Sequence, residues 1–140
     1  MSHNLNTSGK DLPYLVNLDD IPDPVIDDKS IDLSKGKKIL AFLLAKCSHC
    51  KTVAYKLAIA NKKYDLPEIY FIFSGKEEDI TYFMTESRSN FPFVIFNDRK
   101  IFEITKGVFP TIFYVDNSYV YKYWSGRTLT YSEMEKFSDL

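Results

Sequence analysis

Seven consecutive apolar residues, Ile39-Leu40-Ala41-Phe42-Leu43-Leu44-Ala45, end one residue before a pair of cysteines, the only two in the chain. An unbroken apolar run, in place of alternation, is what a central strand covered on both faces requires. Gly36 marks its entry. From Cys50 to about Lys62 the pattern changes: Val53, Ala54, Leu57, Ala58 and Ala60 recur at helical spacing, while Lys51, Lys56 and Lys62 face water. The Cys47-Ser48-His49-Cys50 motif therefore opens a helix directly behind a buried strand, which points to a layered α/β fold.

The remaining chain extends that alternation. Pro67 breaks the chain before a second buried strand, Ile69-Tyr70-Phe71-Ile72-Phe73. Ser74 with Glu77 has the form of a capping box, and Ile80, Phe83 and Met84 give the apolar stripe of the next helix. Pro92 to Phe96 reads as a short strand and Arg99 to Thr105 as a helical turn. Residues 110–115 and 119–124 flank Asp116-Asn117-Ser118 as a hairpin that Gly126 ends. Thr130 and Glu133 form a second capping box, with Met134 and Phe137 packing a terminal helix. Residues 1–31 read as an extension or linker with an edge strand, because Pro22 and Pro24 confine any strand through Val25-Ile26 to a sheet edge. Residues 32–140 form the domain.

Composition excludes several classes. A chain of 140 residues with 45% hydrophobic content builds one well-filled core and is too short for two ordinary domains. A net charge of −1 gives neither a basic field for nucleic acid nor a polybasic membrane patch. No run approaches the roughly 18 apolar residues of a membrane span, and residues 1–17 lack the pattern of a signal peptide. Met1 to Asn4 has the look of a tether. Two cysteines are too few for a multi-bridge scaffold or a four-thiolate zinc site.

A CxxC pair at the first turn of a helix puts both sulfurs on one face at disulfide spacing. Cys47 stands at the helix mouth, where unsatisfied N–H groups and the positive dipole end stabilise a thiolate; Lys46 and His49 add charge nearby. Cys50, one turn inside, is placed to resolve a mixed disulfide. Taken alone, CxxC is also half a metal site. The strand before it and the amphipathic helix after it favour redox chemistry.

Lys35 to Phe42 leading into Cys47-Ser48-His49-Cys50 resembles thioredoxin-like proteins of the TlpA type, and Gly107-Val108-Phe109-Pro110-Thr111 resembles that family's cis-proline segment. The likeness runs from about Asp32 to Leu140. It implies a three-layer α/β thioredoxin fold, a central mixed sheet flanked by helices. It also implies thiol–disulfide exchange with protein thiols and disulfides, Cys47 being the nucleophile, Cys50 the resolving thiol, and Phe109 and Pro110 the substrate-binding pair. An ordinary trans turn proline at Pro110 stays open. No cofactor is implied beyond the redox-active disulfide, and the partner is an upstream protein reductant or oxidant. By resemblance alone the setting is the bacterial cell envelope on the extracytoplasmic side, with a membrane reached through a missing anchor, as in the soluble domain of a DoxX-type membrane protein.

Departures from thioredoxin itself matter. Ala41 stands where thioredoxin has a buried carboxylate that moves the second cysteine's proton; Lys46 replaces a Trp, and Leu43 another aromatic residue. His49 reads as a thiolate stabiliser, a metal ligand or an exposed dipeptide residue, with its position favouring the first. It resembles strongly oxidising enzymes, whereas the framework favours the reductant direction. The alternative class is a thioredoxin-fold copper chaperone using the same cysteines. Its fit is poor, because the only other histidine is His3 in the tether. The aromatic row Tyr119 to Trp124 is read as packing, and the acidic N-terminal segment as solvated linker.

Overall fold

The computed structural model describes residues 11–125 and 129–136. Its main sheet is built around β4 (Lys37–Leu44), the apolar run, which pairs in parallel with β5 (Glu68–Ser74) and antiparallel with β7 (Thr111–Asp116). Outside β5 lies β6 (Phe93–Ile95), parallel to it; outside β7 come β8 (Tyr119–Ser125) and the two-residue β1 (Tyr14–Leu15). The order is β1-β8-β7-β4-β5-β6, a mixed sheet.

Side chains alternate across β4, so the run feeds two cores. Ile39, Ala41 and Leu43 pack with Val53, Ala54 and Leu57 of α1 (Ser48–Lys63), Ile80 and Phe83 of α2 (Glu77–Ser87), and Met134 of α4 (Tyr131–Glu135). Leu40 and Phe42 point the other way, toward Ile101 of α3 (Lys100–Thr105) and toward Val16, Leu18 and Ile21. The result is the three-layer arrangement expected from the sequence, with helices on both faces.

Several local expectations change. Residues 14–21 pack as part of the domain and not as a solvated linker: Val16, Leu18 and Ile21 are buried, and β1 forms the sheet edge. Val25–Ile26 (β2) does not reach that edge but pairs with Lys29–Ser30 (β3) in a separate hairpin, turned by Asp27 and Asp28 at φ 52° and 66°. Ser74 forms no capping box. It is the last residue of β5, its hydroxyl donates to Asn97 Oδ1 at 3.2 Å, and the N-cap of α2 is Lys76 without a side-chain bond. Glu77, Glu78 and Asp79 in the first turn instead meet the helix dipole. At α4 the cap does form, Thr130 Oγ1 accepting from the Glu133 N–H at 3.2 Å, but the Glu133 carboxylate turns to Trp124 Nε1 at 3.1 Å. The β7–β8 turn narrows to Asn117 and Ser118, both at positive φ as a two-residue hairpin loop demands. Gly126, Phe137 and the Met1 to Asn4 tether lie outside the described residues.

Gly75, between β5 and α2, carries the tightest steric demand near the motif. Its φ is +148°, and an added Cβ would lie 2.6 Å from Ala45 Cβ, two residues ahead of Cys47. Asn97 fixes the same loop: its Oδ1 accepts from the Gly75 N–H at 2.8 Å and its Nδ2 donates to the Gly75 carbonyl at 3.0 Å. Gly75→Ala is expected to cost about 1–3 kcal/mol, from overpacking and backbone strain. Denaturant unfolding checks it; an unchanged midpoint would mean that Ala45 yields without penalty.

Candidate redox site

The end of β4 delivers the site. The Cys47 N–H donates to the Leu44 carbonyl at 3.1 Å, turning the chain out of the strand, and Ala45 is held by its N–H to the Ser74 carbonyl at 3.0 Å. Cys47 then serves as N-cap of α1 at φ −92° and ψ 119°, its Sγ accepting from the Cys50 N–H at 3.3 Å. A thiol sits where serine or aspartate is preferred. No acidic side chain occupies the first turn of α1, so the helix's positive end is answered there by sulfur alone among its own residues.

The two sulfurs differ sharply. Both are free thiols, but Cys47 is half-buried whereas Cys50 is 0% exposed, packed with Ala41 and Leu43. Burial, and secondly a hydrogen bond to the Cys47 sulfur, push the Cys50 thiol well above its ordinary value. Cys50 therefore holds its proton and offers it to Cys47. Ala41 of β4, buried in the same core as Cys50, provides no carboxylate to receive it.

The other residues singled out from the sequence fall at or near this end of the sheet. Lys46 is 81% exposed and lies 3.9 Å from Asp79 Oδ2 of α2. His49 is exposed in the first turn of α1. Thr111 pairs with Phe42 in the β4–β7 register, which puts Pro110, one residue earlier, beside the end of β4 that leads to Cys47. Pro110 is buried, the Phe109–Pro110 peptide bond is cis, and Phe109 packs against both cores. The Leu12–Pro13 bond is also cis. Among the described residues no cluster of three or more His, Cys, Asp and Glu is placed to hold a metal.

Sequence reasoning missed the supports. Thr111 Oγ1 donates to the Val108 carbonyl at 2.6 Å, bracing the loop before β7, and Phe102, half-exposed on α3, stacks edge-on against Phe109 at 5.7 Å. Lys51 Nζ bonds Glu86 of α2 at 2.6 Å. Nothing in the spacing pairs Asn97 with Gly75, whereas Asp79 and Glu86, seven apart on a helix, were a readable stripe.

No family model matches the chain. Protein TlpB of Flavobacterium psychrophilum is 32% identical over 106 residues, covering 69% of this chain but only 27% of TlpB. The fold is similar to the thioredoxin domain of a thiol-disulfide oxidoreductase from Bacteroides vulgatus, with TM-score 0.63, 24% identity and coverage of 84% and 92% of the two chains. The chain has the thioredoxin fold, and over 69% of its length it is related to TlpB. Bacillus subtilis StoA, at TM-score 0.63, is 20% identical over 83% of this chain and 93% of its own. A secreted disulfide oxidoreductase of Mycobacterium tuberculosis aligns at 0.61 with 14% identity, over 74% and 81%. At these identities the solved thioredoxin-like structures speak for the fold, and TlpB supports the TlpA type. The chain spans about a quarter of the length of TlpB.

The raised Cys50 thiol gives the family fold a pH signature. As pH climbs past the ordinary thiol value of 9.0, the unfolded chain loses the Cys50 proton while the folded chain keeps it. The stabilisation is full below that value and falls above it, at up to about 1.4 kcal/mol per pH unit. Reduced wild type should lose stability from about pH 8 to about pH 10 more steeply than reduced Cys50→Ala, in which Cys47 remains. Equal slopes in thermal unfolding would contradict the buried, proton-holding thiol.

Proposed function

We propose that the chain exchanges dithiols and disulfides with protein substrates, working as a reductant. The observation that carries this is the asymmetry of the pair: a half-exposed Cys47 sulfur capping a helix, beside a buried Cys50 that keeps its proton. In the reducing direction the Cys47 thiolate attacks one sulfur of a substrate disulfide, forming a mixed disulfide and expelling the other sulfur as thiolate. Cys50 then loses its proton and attacks Cys47. The Cys47–Cys50 disulfide forms, the second substrate thiolate leaves, and two electrons have passed to the substrate. With Ala41 in the carboxylate's place, water reaching half-exposed Cys47 or the departing thiolate takes the Cys50 proton.

Phe109 and Pro110 form the substrate-facing loop beside the sulfurs, His49 and Lys46 adjust the charge felt by the thiolate, and the partners are protein thiols with an upstream protein donor. The reductant direction is supported by the TlpA-type likeness and by the carboxylates paired with Lys46 and Lys51, which offset positive charge near the thiolate. A copper-chaperone role has less support, since no third ligand joins the two sulfurs among the described residues. An extracytoplasmic setting draws on the secreted M. tuberculosis neighbour; no helix of the described residues is long and apolar enough to cross a membrane.

Two measurements test the reading. Cys50→Ser should accumulate a mixed disulfide with a protein or glutathione disulfide, whereas Cys47→Ser should form none. The wild-type pair should titrate in glutathione or dithiothreitol buffers near the thioredoxin value of about −270 mV; a value near −120 mV would make it an oxidant. No reversible two-electron transition would overturn the proposal.

A further inference from the structure

The redox motif is bracketed by two lysines, Lys46 immediately before Cys47 and Lys51 immediately after Cys50. Each is answered by a carboxylate from the same helix, α2. Lys46 Nζ lies 3.9 Å from Asp79 Oδ2, and Lys51 Nζ lies 2.6 Å from Glu86 Oε1. Asp79 and Glu86 are seven residues apart, about two helical turns, and so share one face of α2. Tyr82 reinforces the second pair: it is hydrogen-bonded to Glu86, and Lys51 Nζ stands 4.8 Å from its ring centroid. The pairing holds Glu86 below the ordinary carboxylate range and Lys51 above the ordinary ammonium value, so both stay charged at neutral pH.

We propose that Asp79 and Glu86 set the reduction potential of the Cys47–Cys50 pair by neutralising the two lysines that bracket it. The inference rests on the dithiol–disulfide reading. In a glutathione buffer, the disulfide form of the chain and two glutathione thiols exchange for the dithiol form and one glutathione disulfide, two electrons and two protons passing to the cysteines. Of the two protein forms only the dithiol form can carry a Cys47 thiolate. Uncompensated positive charge beside it favours the dithiol form and makes the potential less negative. Carboxylates that cancel that charge do the opposite, so α2 holds the pair on the reducing side. The two contributions are unequal. Lys51 is 26% exposed and in close contact with Glu86, whereas Lys46 is 81% exposed at a longer distance, where solvent and salt screen it.

The test equilibrates wild type, Asp79→Asn, Glu86→Gln and the double variant with glutathione buffers of graded potential and counts free thiols. Each carboxylate removed should shift the equilibrium constant toward the dithiol form by roughly two- to fivefold, about 9 to 21 mV less negative, with Glu86 the larger. The shift should shrink in about 1 M salt, and Lys51→Met should move the potential the other way. A purely structural role would lower the unfolding temperature and leave the potential in place. A wild-type transition that the double variant does not move, or moves to more negative values, overturns this proposal alone. No wild-type transition at all overturns the dithiol–disulfide reading and this proposal with it.

Discussion

The contact on which the site depends is the backbone N–H of Cys50 pointing at the Cys47 sulfur, 3.3 Å away, at the mouth of α1. A helix leaves its first N–H groups without partners, and here a thiol takes the place of the usual oxygen cap. That single geometry does three things together. It fixes where the strand ends and the helix begins, keeps one sulfur at the surface under the helix's positive end, and places the other one turn inside, where burial keeps it protonated. The chemistry follows from the fact that two identical side chains occupy unlike environments.

Delivering that turn takes both layers of the fold. The apolar β4 feeds Ile39, Ala41 and Leu43 to one core and Leu40 and Phe42 to the other, so the strand is held from both faces and its end is rigidly placed. The loop after β5 approaches so closely that a Cβ at position 75 would lie 2.6 Å from that of Ala45, and Asn97 secures it from the β6 side. The segment before β7 is brought alongside by the register of Thr111 with Phe42. Supports from β5, β6, β7 and α2 thus converge on a handful of residues around Cys47.

Much of this was readable in the chain. The run before Cys47 declared a central strand because its apolar residues do not alternate, and the stripe after Cys50 declared a helix by its period. The layered α/β class followed, as did the hairpin read at Asp116-Asn117-Ser118, whose loop is the last two of these, and the Thr130 half of the capping box read with Glu133. Ser74 shows where local reading fails. Its spacing to Glu77 imitates a capping box, but β5 extends through it and its hydroxyl goes to Asn97. Residues 14–21 mislead for a similar reason: their polar, proline-rich neighbourhood reads as linker, while Val16, Leu18 and Ile21 cover the second face of the sheet.

The sequence by itself determined the two cysteines, their place at a helix start behind a buried strand, and therefore the kind of chemistry open to them, because these depend only on spacing and period along the chain. The tertiary structure alone decided which carboxylates the two lysines flanking the motif meet. Lys46 looks from its position like a partner for Cys47, yet its nearest carboxylate comes from Asp79, and Lys51 is claimed by Glu86, both residues of a helix reached only after β5 has crossed the sheet. Electrostatic interaction depends on distance through space, and the fold brings α2 beside the motif, placing the carboxylates within reach.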